Sequence, residues 1–192
     1  MLVSYERFND TPIMSLQTGS ELARTSKAII DPRSLTIVAY ELEGRTLTQQ
    51  PSLLLVRDVR EIGPLGIIID STDELVSPND VVKVGEVYNF NFELIGVKVV
   101  DDRGRHIGKV NGYSVDMSSF VIQQINVKRP FFQSLNDTEL LVHRSQIIKV
   151  SDNKIMIHSP TVRKGSAETK VSPTFNNPFR KTASSQPESI DS

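Results

Sequence analysis

Gly19-Ser20-Glu21-Leu22-Ala23 and Asp31-Pro32-Arg33-Ser34-Leu35-Thr36-Ile37 are read again 85 residues later, as Gly104-Arg105-His106-Ile107-Gly108 and Asp116-Met117-Ser118-Ser119-Phe120-Val121-Ile122. The register then slips by one, placing Leu54-Leu55-Val56-Arg57 over Leu140-Leu141-Val142-His143. It slips by two more where Ile67-Ile68-Ile69-Asp70-Ser71 lies over Ile155-Met156-Ile157-His158-Ser159. Slips that fall between apolar runs are what differences in loop length produce. The expectation is two copies of one small β domain, each of which, at roughly 75 residues, buries only about 60 to 65% of its unfolded surface. Two such marginal units are expected to pack on each other or on a partner.

Runs of Val, Ile and Leu separated by turn residues continue through residue 159, which is a strand signature. Strands are predicted at Ala28–Ile30, Thr36–Glu43, Ser52–Arg57, Gly66–Asp70 and Lys98–Asp101, and then at His106–Ser114, Ser119–Val127, Thr138–His143 and Lys154–His158. Gly104 supplies the positive φ that the Asp101-Asp102-Arg103-Gly104 turn needs. Between the copies, Ser77-Pro78-Asn79-Asp80 reads as a helix start, with Ser77 as N-cap and Pro78 in the first helical position, and the helix is expected to run to about Tyr88.

The formal charge of −1 conceals an asymmetry. Residues 161–192 hold five Lys/Arg against three Asp/Glu, a net +2, which leaves −3 for residues 1–160. Neither part is basic enough to announce nucleic acid. With no cysteine there is no disulfide, thiolate nucleophile or thiolate-bound metal. The start of the chain has no apolar leader core, and the longest aliphatic runs fall far short of a bilayer span, so a cytoplasmic protein without a membrane span is expected. Thr161 to Ser192 contain ten Ser/Thr but only five large apolar residues, too few to offset the entropy of ordering. A disordered tail is expected there.

The run Leu94-Ile95-Gly96-Val97-Lys98-Val99-Val100-Asp101-Asp102-Arg103-Gly104-Arg105-His106-Ile107-Gly108-Lys109-Val110 resembles the opening hairpin of the PRC-barrel family. That family takes in the cytoplasmic domain of the photosynthetic reaction-centre H subunit and the C-terminal half of the ribosome maturation factor RimM. The sequel is similar too, at Val115-Asp116, Phe120-Val121-Ile122, Leu140-Leu141-Val142-His143, Ile147-Ile148-Lys149-Val150 and Lys154-Ile155-Met156-Ile157. The first copy matches more weakly, with Ala23 in place of Gly108 and Lys27 in place of Gly112. The resemblance implies an all-β chain of two small PRC-type β barrels in tandem: residues 1–76 and 90–160, joined by a short helical linker at 77–89 and followed by the tail at 161–192. Family members work as assembly or docking domains and share no catalytic residues.

Independently of the family, Gly108 inside a strand suits close approach of a neighbouring strand, and Asp31 and Asp116 suit carboxylates that accept backbone N–H bonds in turns. His106, His143 and His158 fall at unrelated spacings, without carboxylate partners for a metal or a general base. Asp70, Asp73, Glu74 and Asp80 lack the alternating ligands and central Gly of a calcium loop. No phosphate-binding loop, dinucleotide fingerprint or nucleophile elbow is present. The expected function is therefore a non-enzymatic adaptor without cofactor or metal, which binds a protein partner or oligomerises with itself. Its tail offers Phe175, Phe179, Arg180 and Lys181 as a candidate peptide ligand. The rival is an RNA- or ribosome-associated factor, by resemblance to RimM, using Arg103, Arg105, Lys128 and Arg129 beside Phe131 and Phe132. Acidic residues in the same loops weigh against nucleic acid.

Overall fold

The computed structural model describes residues 1–130 and 139–159, and places one α-helix and fourteen strands among them. The first half runs β1 (Leu2–Ser4), β2 (Pro12–Ser15), β3 (Glu21–Asp31), β4 (Thr36–Glu43), β5 (Ser52–Leu55), β6 (Glu61–Gly63), β7 (Gly66–Ile69) and β8 (Leu75–Val76). Helix α1 (Val82–Phe90) follows, and then β9 (Lys98–Asp101), β10 (His106–Asp116), β11 (Val121–Lys128), β12 (Glu139–His143), β13 (Ile147–Ser151) and β14 (Lys154–Ile157). The predicted tail lies outside the described residues, as do Phe131 and Phe132.

The molecule is mostly β, as the sequence indicates. Thr36–Glu43 and Lys98–Asp101 coincide with the predicted strands, whereas Ala28–Ile30 is only the end of the eleven-residue β3. The helix differs in where it begins. Ser77 does not cap it: Ser77 Oγ accepts from Asn79 N–H at 3.3 Å and Asp80 Oδ2 from Ser77 N–H at 2.6 Å, so Ser77-Pro78-Asn79-Asp80 closes its own turn. The helix starts after Val81, without a side-chain cap, and ends at Asn91 in the left-handed region. It is held by tertiary packing, since Val87 and its neighbours cover Ile29, Ala39, Leu53 and Leu55 on the outer face of β3, β4 and β5.

Pairing gives an open sheet ordered β13-β14-β9-β10-β11-β4-β3-β2-β7-β6, with β12 added to β11, β5 to β4, β8 to β5 and β1 to β10. The sequence leads one to expect two closed barrels, but the sheet is not closed among the described residues. The reason is local: Thr36 at the start of β4 pairs with Val121 at the start of β11, so the ladders of the two halves run on into one another. Met1–Pro160 accordingly pack as one compact unit.

Each hairpin of one half has its counterpart in the other. Strands β3 and β4 begin at residues 21 and 36, β10 and β11 at 106 and 121, a displacement of 85 in both cases. Bulges fall between Thr25 and Lys27 and between Ile29 and Ile30, and again between Val110 and Gly112 and between Ser114 and Val115. An extra residue at these points coils the hairpin and turns its inner face onto the core. Strands β2 and β7 pair in parallel, as do β9 and β14.

A single apolar cluster draws on both halves, with Ile13, Ile37, Tyr40 and Leu54 on one side and Val99, Ile122, Ile125 and Val142 on the other. Each such aliphatic or aromatic side chain contributes about 1.5–3 kcal/mol through burial. Within this core Gly108 is indispensable, because a Cβ there would stand 2.2 Å from the carbonyl oxygen of Lys128. In the first half the matching residue is Ala23, and the glycine has moved across the ladder to Gly44, whose added Cβ would lie 3.0 Å from the Ala23 Cα. The close strand approach is thus met once from either side.

Gly108→Ala is therefore expected to lower the denaturation midpoint by the equivalent of about 1–3 kcal/mol of overpacking. Gly44→Ala is expected to cost less, since its contacts need only a few tenths of an ångström of relief. Equal losses, measured by urea titration followed by circular dichroism, would show that the two approaches are not graded in this way.

Candidate functional site

Asp31 and Asp116 end β3 and β10, where the sequence leads one to expect carboxylates that accept backbone N–H bonds in turns. Asp31 Oδ1 accepts from Arg33 N–H at 3.0 Å and from Arg33 Nε at 2.9 Å. Asp116 Oδ1 accepts from Ser118 N–H at 3.3 Å and from the Met1 ammonium at 3.1 Å. That ammonium, together with the Ser118 and Ser119 donors, holds the Asp116 carboxyl down to about 2. Both aspartates hold the turn that leads into β4 or β11, as the sequence suggests, and their oxygens are occupied in doing so.

The basic group of the rival reading is brought together in part. Lys109 on β10 stands opposite Lys128 on β11, so the Asp101–Arg105 turn and the end of β11 share one end of the sheet. Arg103, Arg105, Lys109 and Lys128 are exposed, and Arg129 is half-buried. Among the described residues Arg105 is the one of these cations held in an ion pair. Asp101, fully buried, accepts from the N–H groups of Arg103 and Arg105 at 3.0 and 2.8 Å, and from Arg105 Nε at 2.7 Å. Burial opposes the charged form of Asp101, but these hydrogen bonds outweigh it and keep the carboxyl below its ordinary value. Glu139 stands opposite Lys128 on its other side. Five cations thus meet the carboxylates of Asp101, Asp102 and Glu139 at this end.

The histidines lie apart. His106 opens β10, His158 follows β14, and His143 ends β12, where its Nδ1 accepts from Ser145 N–H at 3.2 Å while Gln146 Oε1 accepts from His143 N–H at 2.8 Å. This reciprocal cap of the 3-10 turn Arg144–Gln146 went unread in the sequence, although His-x-x-Gln has the spacing of a capping box. The acidic stretch is likewise absorbed into structure: Asp70 pairs with Arg60 at 2.6 Å, Glu74 accepts from Asp70 N–H, and Asp80 closes the Ser77 turn. Among the described residues no group of three or more His, Asp or Glu could hold a metal ion.

Two grooves flank the seam between the halves. The larger, about 820 Å³, has Val56, Val59 and Ile62 on one side and Met117 and Phe120 on the other, with Arg57, Arg60 and Glu61 at its rim. The smaller, about 370 Å³, lies between Pro32 and Leu35 on one side and Ile147 and Val150 on the other, with Arg33, Arg144 and Lys149 around it. Pro32 to Leu35 precede Met117 to Phe120 by 85 residues, the displacement that also separates β3 and β4 from β10 and β11. Both grooves set apolar side chains beside cations, Arg57 and Arg60 in the larger and Arg33, Arg144 and Lys149 in the smaller.

Asp101 supplies a measurable sign. Its pKa is lowered from 3.8, so its contribution to stability is present above the unfolded-state value and is lost as pH falls toward the folded one. Asp101→Asn is expected to melt at a lower temperature at pH about 7 and to lose less stability than wild type between pH about 4 and 2. Thermal melts at both ends of that window check this, and parallel curves for the two proteins would remove Asp101 from the account.

No curated protein matches the chain. A scan against family profiles matches the PRC-barrel domain to residues 86–164, which begins inside α1 and takes in β9 to β14. The second half of the fold, from the end of the helix onward, is where a PRC-barrel domain is found in this chain.

Proposed function

We propose that the chain is a non-enzymatic protein-interaction module. In this reading residues 1–76 repeat the PRC-type unit found in the second half, residues 77–89 connect the two, and the assembled pair acts as an adaptor for a protein partner. The observation that carries it is the matched pair of hairpins, whose displacement, bulges and Asp31 and Asp116 turns recur in the half outside the family match. Two units that share one core set the grooves at their seam in fixed relation, which favours binding by lowering the cost of ordering the site. Carboxylates that would serve in acid–base chemistry are engaged in turns and ion pairs, which supports a binding role over a catalytic one.

The tail enters as a second point of attachment. Phe175, Phe179, Arg180 and Lys181 lie outside the described residues, and their reading rests on sequence: two aromatic anchors beside prolines and cations, tethered to a folded unit and so raised in effective concentration. Recovery of protein partners on the full chain is expected to survive ribonuclease treatment. Phe175→Ala with Phe179→Ala is expected to reduce that recovery without moving the melting temperature, and unchanged recovery would make the tail a spacer.

The RNA-associated reading is favoured by one observation, the juxtaposition of Lys109 and Lys128 beside the Arg103–Arg105 turn. Like charges opposite each other cost about 0.2–1 kcal/mol, and a polyanion would relieve that cost. Pairing of Arg105 with Asp101 removes one of the cations, so little salt-dependent affinity is expected. Binding of a single-stranded RNA at low salt, abolished when Arg103, Lys128 and Arg129 are changed to Glu, would reverse the order of the two readings.

A further inference from the structure

Four lysines stand side by side across the second half of the sheet. Lys154 on β14 is opposite Lys98 on β9, Lys98 is opposite Lys109 on β10, and Lys109 is opposite Lys128 on β11. All four are exposed, while Val99, Val110, Val127 and Ile155, each beside one of them in sequence, are buried. Strand alternation thus puts the whole row on the outer face. Like charges at directly opposed positions repel, and here three such pairs follow one another. Among the described residues none of the four lysines is in an ion pair. Their strands hold two acidic residues, Asp101 and Asp116, and both are engaged in turns. Glu139 and Asp152 lie only at the ends of the row, one opposite Lys128 and the other in the turn before Lys154.

We propose that this row is a docking site for an acidic α-helix of a protein partner, laid across the strands. Strands about 4.7–4.9 Å apart make the row about 14–15 Å long. A helix rises about 1.5 Å per residue, so carboxylates at positions i, i+3, i+7 and i+10 share one face and span about 15 Å. An extended segment with acidic residues at alternate positions would need about 20 Å for four of them and overrun the row. Nucleic acid fits less well. Residues 1–160 carry a net −3, so a polyanion that continues past the row meets a repelling surface, whereas a helix confines its charge to four places. Of Phe, Tyr and Trp these strands carry Tyr113 alone, and it is buried, which leaves no exposed ring of that kind on them to stack a base. Charge also disfavours cover from the same chain. Residues 131–138 and 160–192 hold five Lys/Arg against four Asp/Glu, with no surplus of carboxylates to neutralise the row.

The site presupposes the protein-interaction reading, but it is tested apart from it. The probe is a fluorescent alanine-based helical peptide with Glu at i, i+3, i+7 and i+10, titrated with the full chain and followed by anisotropy. It is compared with an isomer whose four Glu are spread around the helix and with an oligouridylate of equal charge. The patterned peptide is expected to bind at least about tenfold tighter than either. Its affinity is expected to fall about tenfold or more between about 0.01 and about 0.15 M salt, as the Debye length shortens from about 30 to about 8 Å. Lys98→Gln with Lys109→Gln is expected to weaken binding about tenfold or more and to melt no lower than wild type, because a repulsion is removed. Arg45→Gln with Lys83→Gln, the same change of charge at exposed positions elsewhere, is expected to leave binding as it was. Equal binding of the two peptides, tighter binding of the oligouridylate, or indifference to Lys98→Gln with Lys109→Gln overturns the proposal. None of these results touches the adaptor reading, which falls instead if the full chain recovers no protein partner after ribonuclease treatment.

Discussion

Two backbone hydrogen bonds set the arrangement of everything else: Ile37 N–H donates to the Phe120 carbonyl at 3.0 Å, and Ile122 N–H donates to the Leu35 carbonyl at 2.9 Å. The four residues exchange places under the displacement of 85, so the contact is self-complementary in the way a two-fold dimer interface is. Leu35 and Phe120 both take positive φ, 47° and 54°, a conformation that costs an ordinary residue roughly 1–2 kcal/mol. Their side chains are almost wholly buried, and Phe120 lies 6.2 Å from Phe8 and 6.4 Å from Tyr40, ring centre to ring centre. Burial and aromatic packing offset the strain, and the strained turns deliver their carbonyls to the opposite half. Without that exchange each half would face the marginal stability of a small unit.

What was legible in the sequence follows from the same geometry. The Asp-to-Ile turns are read from residue type alone, because Asp at the strand end, a short turn and then an apolar run leave few other conformations. Strands β4, β10 and β11 are therefore found, whereas of β3 only its end at Ala28–Ile30 is expected, and the displacement of 85 is read from the turns and not from the strand starts. The next strand was misaligned. Sequence similarity sets Leu54 over Leu140, but Leu54 pairs with Tyr40 and Val142 with Ile125, so Leu54 corresponds to Val142. The error is two residues, which keeps every side chain on its own face of the sheet, and apolar alternation cannot detect it. The helix start was misplaced because Ser77 and Asp80 satisfy each other locally, an alternative that a capping pattern does not distinguish. Gly44 was passed over because its partner Ala23 reads as a plain strand residue, and only the ladder shows that one close approach has changed sides.

Electrostatics follows the turns: the chain has 23 acidic and 22 basic residues, and the perturbed carboxylates among the described ones serve local structure. Depressed carboxyls at Asp70, Asp101, Asp102 and Asp116 each trace to donors within a turn, an adjoining strand end or the chain terminus. Perturbed groups cluster at functional sites when their partners converge on one cleft, whereas these carboxylates lie in three separate turns, at Asp70, at Asp101–Asp102 and at Asp116. Their contribution is to fix turns, and fixed turns hold the apolar floors of the two seam grooves in register.

The departure from symmetry carries more functional meaning than the symmetry itself. In the first half the outer face of β3, β4 and β5 holds Ile29, Ala39, Leu53 and Leu55, and α1 and β8 close over it. At the matching places the second half has Ser114, Gln124, Leu141 and His143, a mostly polar set that needs no helix. There β1 adds to the edge of β10, and among the described residues β12 pairs with β11 alone. A polar face can stay solvated at little cost, whereas an apolar one is stabilised by being covered. One half has thus closed its apolar outer face with the intramolecular helix, and the other carries at the matching places a face that is mostly polar and needs no such cover.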